Sequence, residues 1–209
     1  MSTPPRVLAF DTFGTVADWL GGISAAVART VPEVDAGEFA RQWRARYSPA
    51  IARVEAGEIG WRGLDDLQAD TLAEVAAQFG VAIDDDRATH LVHAWREIPG
   101  WPDSARGLTR LRRRFTVCAL SNGSVALLTE MAKRNYLGLA GLMEARPDEV
   151  MMVATHQSDL DAARSHGLRS AFVERPLEWG DPELKDDSGS PDNDIHARDL
   201  DDLADQLGC

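Results

Sequence analysis

Residues 6–15, RVLAFDTFGT, set one carboxylate, Asp11, at the end of a hydrophobic run from Val7 to Phe10, and a polar turn through Thr12, Gly14 and Thr15 follows. The pattern reads as a buried parallel strand that carries an acid to its C-terminal tip. Ligands of open α/β sheets bind beside such tips. An aspartate there can act as a nucleophile, forming an ester that water later opens. Taken alone, Asp11 has a blander reading as a turn-capping residue. Two further strand ends weigh against it: the run FTVCAL, 115 to 120, leads into Ser121 and Asn122, and VMMVAT, 150 to 155, leads into His156 with Asp159 behind it. Three polar strand ends in a parallel pattern converge on one crevice.

The elements that must hold these groups alternate. A short helix through Leu108 and Leu111 precedes the second run, which reads as another buried strand, and a helix through Leu127, Leu128 and Met131 follows it. A helix with Leu137, Leu139 and Leu142 leads to VMMVAT, then the helix DLDAARSHG, the strand RSAFVE and a closing helix marked by Leu200, Leu203 and Leu207. This predicts an α/β fold with a doubly wound parallel, Rossmann-like sheet. The stretch 181–194, DPELKDDSGSPDND, reads as a solvated loop.

Residues 18 to 100 are different in kind. Asp35 with Glu38 resembles a capping box, and Phe39, Trp43 and Tyr47 repeat every four residues until Pro49 interrupts. Leu64, Leu67, Thr71, Val75 and Phe79 trace a second stripe closed by Gly80, and Leu91, Val92 and Trp95 a third after Asp84 to Asp86. No strand is predicted here. The expected organisation is a core domain of residues 1–17 and 101–209 with an inserted helical cap, 18–100.

The formal net charge of −12 would repel phosphate backbones and anionic lipid surfaces, which argues against nucleic-acid and membrane partners. Two cysteines, Cys118 and Cys209, imply no disulfide framework, and no signal-peptide core or membrane-length run is evident, so a cytoplasmic enzyme is the simplest fit. His90 and His93 share a helix face without an evident third ligand and read as surface residues.

On FDTFGT, the WRARY segment, LSNGS, the paired methionines of VMMVATHQSD and GLRSAFVERP, the chain resembles the L-2-haloacid dehalogenase (type II) family of the haloacid dehalogenase superfamily. The resemblance implies metal-independent hydrolysis without cofactors, in which an aspartate displaces halide from the carbon beside the carboxylate of a small 2-haloalkanoic acid, with inversion, and water then cleaves the ester. It implies Asp11 as nucleophile, with Thr15, Ser121 and Asn122 orienting it and binding the substrate carboxylate and Asp159 ordering the last strand end. The halide-receiving arginine maps onto Arg44, with Arg46 a near alternative. Phe13 and Tyr136 fall at substrate positions. His156, where many members carry asparagine, reads as a hydrogen-bond partner rather than a general base. Phe13 also replaces the second aspartate of the superfamily's phosphatases, leaving no evident donor for an alkoxide leaving group; a departing halide needs none. Cap aromatics such as Trp19, Trp43 or Trp61 could exclude water, although Trp43 with Phe39 reads first as packing. A homodimer is compatible with the family pattern.

One departure stands out. Residues 122–149 are too few for another complete strand and helix, which needs roughly 30 residues or more. The family has such a unit here, followed by a Lys-Pro-Asp-type motif, whereas this chain passes from EMAKR straight into NYLGLAGLMEARPDEV. Lys133 and Arg134 end a helix and read as solvated. Loss of one preorganised cation beside the nucleophile would cost about 3 to 4 kcal/mol in the transition state. Three readings follow from the sequence: a 2-haloacid dehalogenase, a catalytically impaired homologue lacking the lysine, and, less favoured, a small-molecule phosphatase. A continuous peptide across residues 134–136 would mark the deletion as real.

Overall fold

The computed structural model describes residues 4–120, 144–184 and 188–209. Ser121, Asn122, Lys133, Arg134, Tyr136 and the helices expected between residues 122 and 143 lie outside the described residues. Two compact units emerge: an α/β unit of residues 4–18, 100–120, 144–184 and 188–209, and a helical unit of residues 19–99. None of the helices among the described residues is long and apolar enough to cross a membrane.

In the α/β unit, β1 (Val7–Phe10), β2 (Thr116–Ala119), β3 (Val150–Ala154), β4 (Arg169–Val173) and β5 (Ile195–Ala197) form one parallel sheet in the order β2-β1-β3-β4-β5. Side chains of β1 alternate between two cores. Leu8 and Phe10 join Met151, Val153, Ala171 and Val173 under Leu111, Leu200 and Leu203, while Val7 and Ala9 join Met152, Ala154 and Phe172 under Leu160 and Ala163. Burial on both faces is why the central strands read as unbroken apolar runs. The α/β unit's helices are Ser104–Leu111, Gln157–Ser165 and Leu200–Gln206. The first and last of them press so close that a Cβ on Gly107 would come within 2.5 Å of the Leu200 Cβ.

Two expectations need correction. The second run does form a strand, but a poorly buried one: Thr116 and Ala119 are exposed and Val117 and Cys118 half-buried. Among the described residues β2 pairs with β1 alone, so its outer side has no neighbour. The other is a strand that was not expected: the described residues of 181–194 are turns and loop, mostly exposed as expected, but they lead into β5, and the Gln157 side chain accepts hydrogen bonds from the Ser190 amide and the Asn193 side chain, both at 2.9 Å. Three residues with a histidine in the middle give too little periodicity to reveal a strand.

In chain order the helical unit contains α1 (Trp19–Thr30), α2 (Ala36–Ala45), α3 (Tyr47–Glu55), α4 (Leu64–Phe79) and α5 (Asp85–Ala94); the α/β unit continues with α6 (Ser104–Leu111), α7 (Gln157–Ser165) and α8 (Leu200–Gln206). Asp35 caps α2 by accepting the Glu38 amide at 2.8 Å, and Asp84 caps α5 in the same way through Arg87. Gly80 ends α4 with φ +67°, the left-handed conformation glycine adopts without strain. The α2 stripe does not run on to Pro49. The helix stops at Ala45, and Pro49 falls in the first turn of α3, where a missing N–H costs little. Phe39 and Trp43 are core residues, and the Trp43 indole N–H donates to Thr71 Oγ1 at 3.1 Å.

Candidate active site

From β1 the chain runs outward to β2, and β3 lies on β1's other flank, so the strand order reverses between β1 and β3. The crevice beyond the C-terminal ends of two such strands is where open α/β sheets bind ligands. Asp11 follows β1 and His156 follows β3.

Asp11 is 9% exposed, and its amide extends the β1–β3 ladder by donating to the Val153 carbonyl at 3.0 Å. The turn beyond it closes through hydrogen bonds from the Val16 and Ala17 amides to the Thr12 carbonyl. This brings Thr15 back over the carboxylate. Its hydroxyl donates to Asp11 Oδ2 at 2.8 Å and accepts the Thr155 amide at 2.9 Å, which fixes the direction of its proton. His156 Nδ1 lies 3.3 Å from the same Oδ2. Asp11 Oδ1 takes no hydrogen bond from the described residues.

His156 is gripped on its other side too. Nε2 lies 2.9 Å from Glu178 Oε1, and Asp159 Oδ2, from the first turn of α7, is 3.8 Å from Nδ1. Burial alone would lower the basicity of the imidazole. The carboxylates of Asp11 and Glu178, one against each ring nitrogen, outweigh it and push the pKa up to about 11. The ring is an imidazolium at neutral pH.

Glu178 is 4% exposed and was not foreseen, because a glutamate in the aperiodic segment RPLEWG reads as a solvated loop residue. Gly14 makes its seat. With φ +89° and the Glu178 carboxylate where a Cβ would stand, a side chain at position 14 would strain the backbone and displace Glu178. Arg175, from the same segment, is also buried. Its guanidinium donates to the Thr15 carbonyl at 2.8 Å and forms a two-pronged pair with Asp103 at 2.8 and 2.9 Å.

Asp11, His156 and Asp159 offer three potential metal-ligand atoms within 4.8 Å of one another. They do not fit a divalent cation in this arrangement. Both ring nitrogens of His156 already face carboxylate oxygens, and Phe13, half-buried in the turn, brings no oxygen ligand.

The helical unit contains Arg44 and Arg46, which differ sharply. Arg46 pairs with Glu74 and hydrogen-bonds to Gln78 and the Gln42 carbonyl. The Arg44 guanidinium lies over the Tyr47 and Trp19 rings, 4.7 and 5.8 Å from their centroids, and its buried Nε has no hydrogen-bond partner among the described residues. Trp19 is fully buried against Trp95, whereas Trp61 is 72% exposed. His90 and His93 are exposed, as expected.

Neither protein-family models nor curated proteins match the sequence. Solved structures do. A defluorinating L-2-haloacid dehalogenase shares 35% identity at a TM-score of 0.87, over 98% of this chain and 96% of that one. The chain belongs to the L-2-haloacid dehalogenase family. A second L-2-haloacid dehalogenase shares 33% identity at 0.86, covering 99% of this chain and all of the other. An L-2-haloacid dehalogenase from Xanthobacter autotrophicus, at 19% identity and a TM-score of 0.77 over 97% of this chain and 98% of that one, shares the fold.

Proposed function

We propose that the chain hydrolyses small 2-haloacids to 2-hydroxy acids through an ester on Asp11. The observation that carries this reading is the asymmetry of the Asp11 carboxylate: Oδ2 is held by Thr15 and faces His156, while Oδ1, at a ligand-binding strand end, takes no hydrogen bond from the described residues. In the first step Oδ1 attacks the carbon bearing halogen, the carbon–halogen bond breaks with inversion, and halide leaves with the bonding electrons. Water then adds to the Asp11 carboxyl carbon and the bond from that carbon to Oδ1 breaks. The products are a 2-hydroxy acid, a regenerated carboxylate and one proton released to solvent.

Arg44 is the proposed halide acceptor, supported by a guanidinium that stacks on aromatic faces and keeps a donor unspent. Helical residues 18–100 are the proposed cap. Ser121 and Asn122 are proposed to bind the substrate carboxylate, Phe13 and Tyr136 to line its pocket, and Asp159 to order the turn after β3. A defluorinating relative makes fluoroacids a sensible member of the substrate panel. The competing reading, a homologue without turnover, draws its support from the sequence that runs directly from EMAKR into NYLG.

The test is halide release from chloro-, bromo- and fluoroacids with chelator present, together with mass analysis of Asp11 after rapid quenching. An adduct on Asp11 and loss of release in Asp11→Asn are expected. Phosphate-ester hydrolysis that requires magnesium, with no halide released, would overturn the proposal.

A further inference from the structure

We infer that His156, seated by Glu178, is the fixed positive charge that binds Oδ2 of Asp11 through both half-reactions, with Glu178 acting as its positioning residue. The inference rests on the haloacid reading above.

Consider what Oδ2 becomes. In the resting carboxylate it shares the negative charge; once Oδ1 is esterified, Oδ2 is the ester carbonyl oxygen. When water adds to the carboxyl carbon, the charge collects on Oδ2. Two donors already face it, the Thr15 hydroxyl at 2.8 Å and His156 Nδ1 at 3.3 Å. Preorganised donors aimed at the atom where charge develops are the usual source of stabilisation for such an intermediate. The cation helps more in the second step, because in the first it also tempers the nucleophile.

Among the described residues, every charged group facing the ring from the packed elements is acidic: Asp11 after β1, Asp159 on α7 and Glu178 after β4. Two buried carboxylates and a half-buried one around a neutral ring would be costly, and a proton on each nitrogen relieves it. Glu178 sets the geometry. Its oxygen at Nε2 turns Nδ1 toward Asp11, and the bare backbone of Gly14 gives it room. The pair thus puts a cation beside the nucleophile in a chain whose sequence has no Lys-Pro-Asp motif.

The experiment compares the wild-type chain with His156→Asn and Glu178→Gln. In His156→Asn, kcat should fall by roughly 100-fold, and the Asp11 ester should accumulate on rapid quenching because its hydrolysis suffers most. In Glu178→Gln, the alkaline limb of the kcat profile should move to lower pH. The deficit relative to wild type should grow by on the order of 10-fold or more between pH 6 and pH 9, since one unit of pKa is a factor of ten. A uniform fall at every pH with an unmoved limb would make Glu178 merely structural and overturn the inference. So would turnover in His156→Asn equal to wild type. A wild-type chain that forms no Asp11 adduct and releases no halide would instead overturn the haloacid reading, and the inference with it.

Discussion

At the scale of single residues, much of the proposed site depends on one missing side chain. Gly14 combines a left-handed φ with a Glu178 carboxylate lying where its Cβ would be. Gly14→Ala should lose about 1 to 3 kcal/mol from backbone strain alone, measured by urea denaturation. It should also push Glu178 away and move the alkaline limb as Glu178→Gln does; an unmoved limb would show that Glu178 can be reseated. Asp11, Thr15, His156 and Asp159 were legible from the sequence because each follows an apolar run and strand-end chemistry is local. Glu178 and Arg175 were not. They reach the turn after β1 from more than 150 positions away, and neither periodicity nor a short motif encodes that contact.

At the scale of elements, the turn bearing Thr15 is tied to two helices through Arg175 and Asp103. Asp103 accepts both prongs of Arg175 and, at 2.8 Å, the Leu200 amide at the start of α8. Burial pushes its carboxyl up, but these donors and the Arg175 charge hold it below the ordinary aspartate value. Arg175→Met should cost about 3 to 5 kcal/mol, because it leaves a largely buried carboxylate unpaired. The double variant with Asp103→Asn should be less destabilised than the single one in the same denaturation assay; equal losses would mean that the pair is not coupled. The helical elements were readable in proportion to length and punctuation. The α4 stripe runs from Leu64 to Phe79 with Gly80 as its stop, as its spacing predicts. Apolar content gave β2 away as a strand, but it could not report that, among the described residues, β2 pairs with β1 alone.

At the scale of the molecule, the buried imidazolium makes stability depend on pH. Its pKa rises from 6.5 to about 11 on folding. The raised value means the stabilisation is whole below about pH 6.5, declines as pH rises because the folded form keeps a proton the unfolded form loses, and is gone above about 11. Thermal midpoints of wild type and His156→Asn should therefore converge as pH is raised from 6 toward 10. A constant gap would contradict a charged ring.

The parallel order has a further consequence, in time rather than in space. Val7 pairs with Thr116 on one side and Val150 on the other, so β1 is made before either neighbour and has no partner until translation has passed β2. Pairings separated by such lengths of sequence are slow, because the entropy of closing the loop is lost before any contact repays it. Helical residues 19–99, whose contacts are nearer in sequence, need not wait. The carboxylate proposed to do the chemistry is thus synthesised well before the groups that come to surround it, so a nascent chain carries no assembled site until translation has passed Glu178.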